Sequence, residues 1–122
     1  MALSVLIVDD DAGFRRRARR LLSTAGYAVA GEAADGASAI AGVRDLEPDV
    51  VLLDILLPDM DGIEVARRLA ADGDGGGPAI VLTSSRDAAD YGRRLRDAVA
   101  AGFIPKAELS PAALAAVLGA RP

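Results

Sequence analysis

Three aspartates, Asp9, Asp10 and Asp11, follow directly on the apolar run Val5–Val8, and a fourth, Asp54, follows directly on Val50–Leu53. Continuous β-branched and leucine runs of this length read as strands buried on both faces, as in a parallel sheet. Parallel strands open their carboxyl ends on one edge, and open α/β sheets place their ligand crevice there. The carboxylates therefore gather in one crevice. Crowded carboxylates resist ionising together unless a cation neutralises them. The pattern points to a hard metal ion held beside a reactive aspartate. A second signal leads to the same edge. The chain has 14 basic residues, and only Lys106 is a lysine. It follows a third short apolar run, Gly102–Pro105. Lysine is a compact point charge, arginine a planar fork, so a lone lysine at a strand end suits one carboxylate or phosphoryl oxygen. The plain alternative is a surface lysine.

Composition narrows the choice. A chain of 122 residues is expected to form one domain with one core, spanning residues 1–122. It has no cysteine and no histidine. That excludes disulfides, zinc-thiolate sites, Cys–His and Ser–His–Asp catalysis, and a histidine phosphodonor on this chain. A net charge of −4 argues against general nucleic-acid binding. The first apolar run lacks a basic leader and meets three aspartates, unlike a signal peptide. No run is long enough to span a membrane. A cytoplasmic protein is the default expectation.

Strand and helix patterns alternate along the chain. Asp11 can cap a first helix running to about Thr24, with Phe14, Ala18, Leu21, Leu22 and Ala25 at helical spacing. Tyr27–Ala33 reads as a strand. Gly36–Asp45 reads as a short helix with Ala37, Ile40 and Ala41 inward. Pro58–Gly62 is a loop before a helix with Ile63, Ala66, Leu69 and Ala70 on one face. Asp72–Pro78 is a glycine-rich connector. It lacks the Gly-Lys-Ser/Thr ending of a P-loop and the twelfth-position glutamate of a calcium loop. Ala79–Thr83 is a strand. Asp87 can cap a fourth helix ending near Ala101. Gly102–Pro105 is a fifth strand, and Ser110-Pro111 opens a last helix. Five β-α units imply right-handed crossovers and a three-layer sandwich.

Five ordered segments resemble bacterial response-regulator receiver domains over essentially the whole chain. They are Leu6–Asp10, Leu52–Ile55, Leu57–Gly62, Ile80–Ser84 and Ala101–Lys106. The resemblance implies a flavodoxin-like (βα)5 fold with strand order 2-1-3-4-5. It also implies Mg²⁺-dependent phosphoryl transfer from a phosphohistidine on a sensor kinase or a histidine phosphotransfer protein. Asp54 would accept the phosphoryl group as an aspartyl phosphate. Asp10, Asp54 and the Leu56 backbone carbonyl would hold Mg²⁺, with Asp9 acting mostly through a metal-bound water. Lys106 and Thr83 would bind phosphoryl oxygens. Thr83 and Phe103 would form the switch toward a face of the fourth helix, fifth strand and fifth helix. Leu56 and Ser85 would flank the path of the water that hydrolyses the phosphoryl group. Such a domain catalyses its own phosphorylation and dephosphorylation without classical substrate turnover.

Two positions depart from the common pattern. Ala107 follows the lysine where many relatives have proline after a cis peptide, and a cis Lys106–Ala107 bond would cost roughly 3 kcal/mol. Leu56 is apolar where many relatives are polar. Plainer roles remain for several residues. Asp11 reads best as a helix cap, Thr83 could be a strand-end hydroxyl, and Phe103 could be core. Arg15, Arg16, Arg17, Arg19 and Arg20 read as a wet helix face or as a docking surface for an acidic partner.

Two other functions compete. A haloacid-dehalogenase-type phosphatase would also use an aspartyl phosphate, but it should carry Thr or Val where Gly13 stands, and it needs a cap. A degenerate receiver would bind partners without phosphorylation, against which the full acidic set with Thr83 and Lys106 argues. The last helix, Pro111–Gly119, has no charged residue, so an ionic dimer is not expected, and a monomer or weak dimer is. A stand-alone receiver is favoured over a piece of a DNA-binding regulator. Neither nucleic-acid binding nor membrane association is expected of this chain.

Overall fold

The computed structural model describes residues 2–72 and 77–119. Five strands alternate with helices: β1 Ser4–Val8, α1 Ala12–Thr24, β2 Ala28–Ala33, α2 Gly36–Leu46, β3 Val50–Asp54, α3 Gly62–Asp72, β4 Ala79–Ser84, α4 Arg93–Arg96, β5 Gly102–Pro105 and α5 Pro111–Gly119. The strands form one parallel sheet in the order β2-β1-β3-β4-β5. This is the expected doubly wound, flavodoxin-like arrangement. No helix among the described residues is long and apolar enough to cross a membrane.

The central strands β1, β3 and β4 are apolar almost throughout because both of their faces are covered. Successive side chains alternate between those faces. Leu6, Val8, Val51, Leu53, Ile80 and Leu82 pack with Ala39 of α2 and with Val65, Ala66 and Leu69 of α3. Val5, Ile7, Val50, Leu52 and Val81 pack with Phe14, Ala18 and Leu22 of α1 and Leu114 of α5. Burying each large aliphatic side chain is worth roughly 1.5–3 kcal/mol. That anchoring sets where each strand ends, and so where the following residue stands.

Caps begin the helices where the sequence places them. Asp11 Oδ1 accepts from the backbone N–H of Gly13 at 2.9 Å and of Phe14 at 3.3 Å. Ser110 Oγ accepts from Ala113 N–H at 3.0 Å. Asp35 does the same for α2, accepting from Ser38 N–H at 2.8 Å. Each bond satisfies one of the donors that a helix start leaves unpaired.

Three expectations need correction. The fourth helix does not run from Asp87 to Ala101. A 3-10 turn at Ala88–Asp90 is followed by the single turn of α4. The break falls at Gly92, whose φ of 56° and ψ of −129° lie outside helical geometry and favour glycine. In α2 the inward residues are Gly36 and Ala39, with Ile40 and Val43 partly covered, while Ala37 and Ala41 are exposed. Alternating alanines gave that helix almost no apolar contrast, and the aliphatic Ile40 and Val43 set its rotation. In α3 the buried stripe is Val65, Ala66 and Leu69, and Ala70 is exposed. The larger Val65 takes the inward place. The glycine-rich stretch Asp72–Pro78 lies largely outside the described residues.

Candidate functional site

The alternation that builds the core continues past it. Asp9 follows Val5 and Ile7, Asp54 follows Val50 and Leu52, and Thr83 follows Ala79 and Val81, all at period two. These three polar residues therefore extend the α1/α5 side of the sheet beyond its apolar layer. Asp54 stands opposite Thr83 in the β3–β4 register. Asp9 and Thr83 are fully buried, and Asp54 is only 3% exposed.

The crevice has a volume of about 910 Å³ and is lined by Asp10, Asp54, Phe14, Arg17, Leu56, Ser85 and Lys106, among others. Carboxylate oxygens of Asp9, Asp10 and Asp54 lie within 4.8 Å of one another. Lys106 reaches in from the end of β5, with Nζ 2.7 Å from Asp9 Oδ2 and 3.2 Å from Asp54 Oδ2. Its ammonium also sits 4.8 Å from the centroid of the Phe14 ring, where the ring quadrupole favours a cation.

The remaining carboxylate oxygens are held by backbone. Asp9 Oδ1 accepts from Asp11 N–H at 2.9 Å. Asp54 Oδ1 accepts from Leu56 N–H at 3.1 Å. Gly62 closes the loop behind the nucleophile candidate. Its N–H donates to the Ile55 carbonyl at 2.7 Å, and a Cβ there would stand 2.1 Å from the Asp54 carbonyl oxygen. Only glycine lets α3 approach that closely.

Burial raises the Asp54 carboxyl above the ordinary aspartate range, and the Asp9 charge adds to the rise, against the Leu56 N–H and the Lys106 ammonium. Burial alone would lower the Lys106 ammonium. The carboxylates of Asp9 and Asp54 outweigh it and raise the group, so Lys106 is charged at neutral pH.

Three carboxylates against one ammonium leave the cluster short of positive charge. Among the described residues, two buried side-chain atoms lack a hydrogen-bond partner, Asp9 Oδ2 and Thr83 Oγ1. The Asp9 atom has its ion pair with Lys106, but not in hydrogen-bonding geometry. Leaving a buried polar atom such as Thr83 Oγ1 unpaired costs about 1–3 kcal/mol. Both sit at the strand ends that meet in this crevice, so the donor set suits a hard cation with an anionic ligand.

The expected switch residues occupy different layers. Phe103 stands opposite Leu82 in the β4–β5 register and packs with the α2/α3 side of the core. Thr83 belongs to the other side. What adjoins Phe103 is Tyr91, its ring centroid 6.2 Å away in an edge-to-face arrangement. The Tyr91 hydroxyl shares a short hydrogen bond with Ser84 Oγ, itself fully buried beside Thr83. Sequence reasoning missed this pair. The available signal was a tyrosine in a chain with two tyrosines and no tryptophan, since a buried phenol needs a partner.

Two further contacts tie the loops down. Asp59 accepts from Gly36 N–H at 2.7 Å and Ala37 N–H at 3.0 Å. The Arg94 guanidinium of α4 pairs with Asp61 at the start of α3. Leu56 and Ser85 stand exposed at the crevice mouth. No cis peptide occurs among the described residues, so Lys106–Ala107 is trans.

Comparison with known proteins agrees with this architecture. The family model described as the response regulator receiver domain matches residues 5–118. Response regulator MprA of Mycobacterium sp. (strain KMS) is 41% identical over 106 residues, which are 87% of this chain and 45% of the relative. DNA-binding response regulator MtrA of Mycolicibacterium paratuberculosis is 44% identical over 92 residues, 74% of this chain and 39% of the relative. The chain thus spans less than half the length of these relatives. A two-component response regulator of the LuxR family from Aurantimonas sp. SI85-9A1 superposes with a TM-score of 0.84 at 31% identity, covering 98% of this chain and 84% of that one. Carboxylates at the ends of β1 and β3, a lysine after β5 and a family match across nearly every described residue lead to one conclusion: this chain belongs to the response-regulator receiver domain family.

Proposed function

We propose that this chain is the phosphoacceptor domain of a two-component relay, one receiver domain over residues 1–122, with Asp54 accepting a phosphoryl group from a partner phosphohistidine. The observation that carries this reading is the placement of Asp54. It is a buried carboxylate at the floor of a crevice, with Asp9 and Asp10 on one side and the Lys106 ammonium 3.2 Å away. The partner is a sensor kinase or a histidine phosphotransfer protein, and the setting is the cytoplasm.

Mg²⁺ would be held by Asp10, Asp54 and the Leu56 backbone carbonyl, with Asp9 acting through a water. When bound, it neutralises the carboxylates and the incoming phosphoryl oxygens. An oxygen of Asp54 attacks phosphorus in line while Lys106 balances charge on the transferring group. Thr83 Oγ1, without a partner, donates to a phosphoryl oxygen after transfer. Movement of Thr83 drags its neighbour Ser84, and with it the Tyr91 hydroxyl and the Phe103 ring packed on Tyr91. The signal leaves through α4, β5 and α5, a two-state element biased by a local change of charge.

Intact-mass spectrometry after treatment with acetyl phosphate tests the reading. A single phosphoryl adduct is expected with Mg²⁺ and none with EDTA. An adduct of equal yield in EDTA counts against it.

Lifetime depends on the crevice mouth. Leu56 is 46% exposed and offers no side-chain hydrogen bond to an attacking water. Leu56→Asn is expected to hasten loss of the phosphoryl group several-fold, measured as phosphate release from the isolated adduct. Equal or slower release would show that Leu56 does not shield it.

A further inference from the structure

Five arginines line α1, and the structure separates their roles. Arg15 is committed, with Nη1 donating to the Asp9 carbonyl at 2.6 Å and Nε to Glu32 at 2.9 Å. Arg19 is committed as well, with Nε 2.7 Å from Glu32. Arg16 and Arg20 are exposed and do not line the crevice. Arg17 differs from all four. It lines the crevice, and its guanidinium carbon lies 5.3 Å from the centroid of the Phe14 ring, the same ring that supports Lys106 Nζ at 4.8 Å. It makes no hydrogen bond or ion pair with any described residue. Its five donors are therefore unspent, although Asp10 and Asp11 line the same crevice.

We propose that Arg17 binds the departing carboxylate of small acyl-phosphate donors, and so favours these over small donors whose leaving group is neutral. The proposal rests on Asp54 being the phosphoacceptor. In-line attack from Asp54 at the floor sends the leaving group outward to the mouth. The mouth carries the exposed carboxylates of Asp10 and Asp11, the neutral Leu56, Ser85 and Ala107, and one guanidinium, Arg17. An acyl phosphate must deliver a carboxylate into that acidic setting. The new bond joins an Asp54 oxygen to phosphorus, the bond from phosphorus to the acyl oxygen breaks, and the electron pair departs on acetate with no proton transferred. A planar guanidinium matches a departing carboxylate in shape and charge. Phosphoramidate makes no such demand. Its phosphorus–nitrogen bond breaks, and the already protonated nitrogen leaves as neutral ammonia.

Rates of adduct formation with acetyl phosphate and with phosphoramidate, on wild type and on Arg17→Gln, decide the question. The ratio of the acetyl phosphate rate to the phosphoramidate rate is expected to fall about tenfold in Arg17→Gln, the size of one charge-assisted hydrogen bond. Arg17→Lys, which keeps the charge without the fork, should fall between. The phosphoramidate rate reports in the same samples that the site is folded. An unchanged ratio, whether both rates hold or both drop together, overturns the proposal. If wild type takes phosphoryl from neither donor, the phosphoacceptor reading itself fails and takes this inference with it.

Discussion

Asp54→Asn is expected to abolish the phosphoryl adduct and, in metal-free buffer at neutral pH, to raise the melting temperature. The two effects have one cause. Asp54 is 3% exposed and faces Asp9, and burial with that like charge raises its pKa in the folded state. A folded pKa above the unfolded one means that the folded protein holds this proton more tightly. Stability is then lost as pH rises from the ordinary aspartate range through the raised value. Above the raised value the whole cost is present. Asparagine removes the charge, keeps an oxygen for the Leu56 N–H, and leaves Lys106 paired with Asp9. The gain should be about 1–2 kcal/mol, or several degrees in Tm. It should vanish once pH falls below the ordinary aspartate range, where both proteins are neutral at this position. Differential scanning calorimetry in EDTA at neutral and at acid pH measures this. A neutral-pH Tm equal to or below that of wild type would mean that Lys106 and the backbone already offset the burial of Asp54.

Lys106→Arg is expected to preserve the fold and to slow adduct formation by about tenfold or more. The ammonium occupies a tight place, 2.7 Å from Asp9, 3.2 Å from Asp54 and 4.8 Å from the Phe14 ring centroid. A guanidinium is wider and can bind both carboxylates with its fork. It would hold Asp54 as a structural partner and compete with the cation and the phosphoryl group. Transmission should suffer too, because a longer, planar cation cannot follow the phosphoryl oxygen inward. Chemical-shift mapping with a Mg²⁺–beryllofluoride mimic reads that second effect at Ser84, Tyr91 and Phe103. Wild-type rates and a wild-type active-state spectrum would make Lys106 an ordinary half-buried lysine.

Much of the site was legible because it hangs on the strongest local signal. The runs Val5–Val8 and Val50–Leu53 are buried on both faces, so their ends are fixed and Asp9 and Asp54 follow by period two. The lone lysine stood out by type. The inward faces of α2 and α3 were less legible, since alanines at Ala37, Ala41 and Ala70 pack or face water at nearly equal cost. The fourth helix misled because Asp87–Ala101 contains good helix formers. Gly92 takes a backbone conformation that no periodicity reveals. Pairings across the fold were out of reach. Asp59 caps α2 from 23 residues away, and Ser84 meets Tyr91 only because the β4–α4 loop folds back over the sheet. The Ser84–Tyr91 pair adjoins Phe103, whereas Thr83 faces the opposite layer.

Phosphoryl transfer to this crevice is defined by the residue that carries the group. Borohydride reduces an aspartyl phosphate to homoserine and leaves phosphorylated hydroxyls unchanged. Peptide mapping of wild-type protein treated with acetyl phosphate and Mg²⁺, then with borohydride, should find homoserine at position 54 and at no other aspartate. Homoserine at Asp9, Asp10 or Asp11, or a phosphoryl group on Thr83 or Ser84 with Asp54 unmodified, would contradict it.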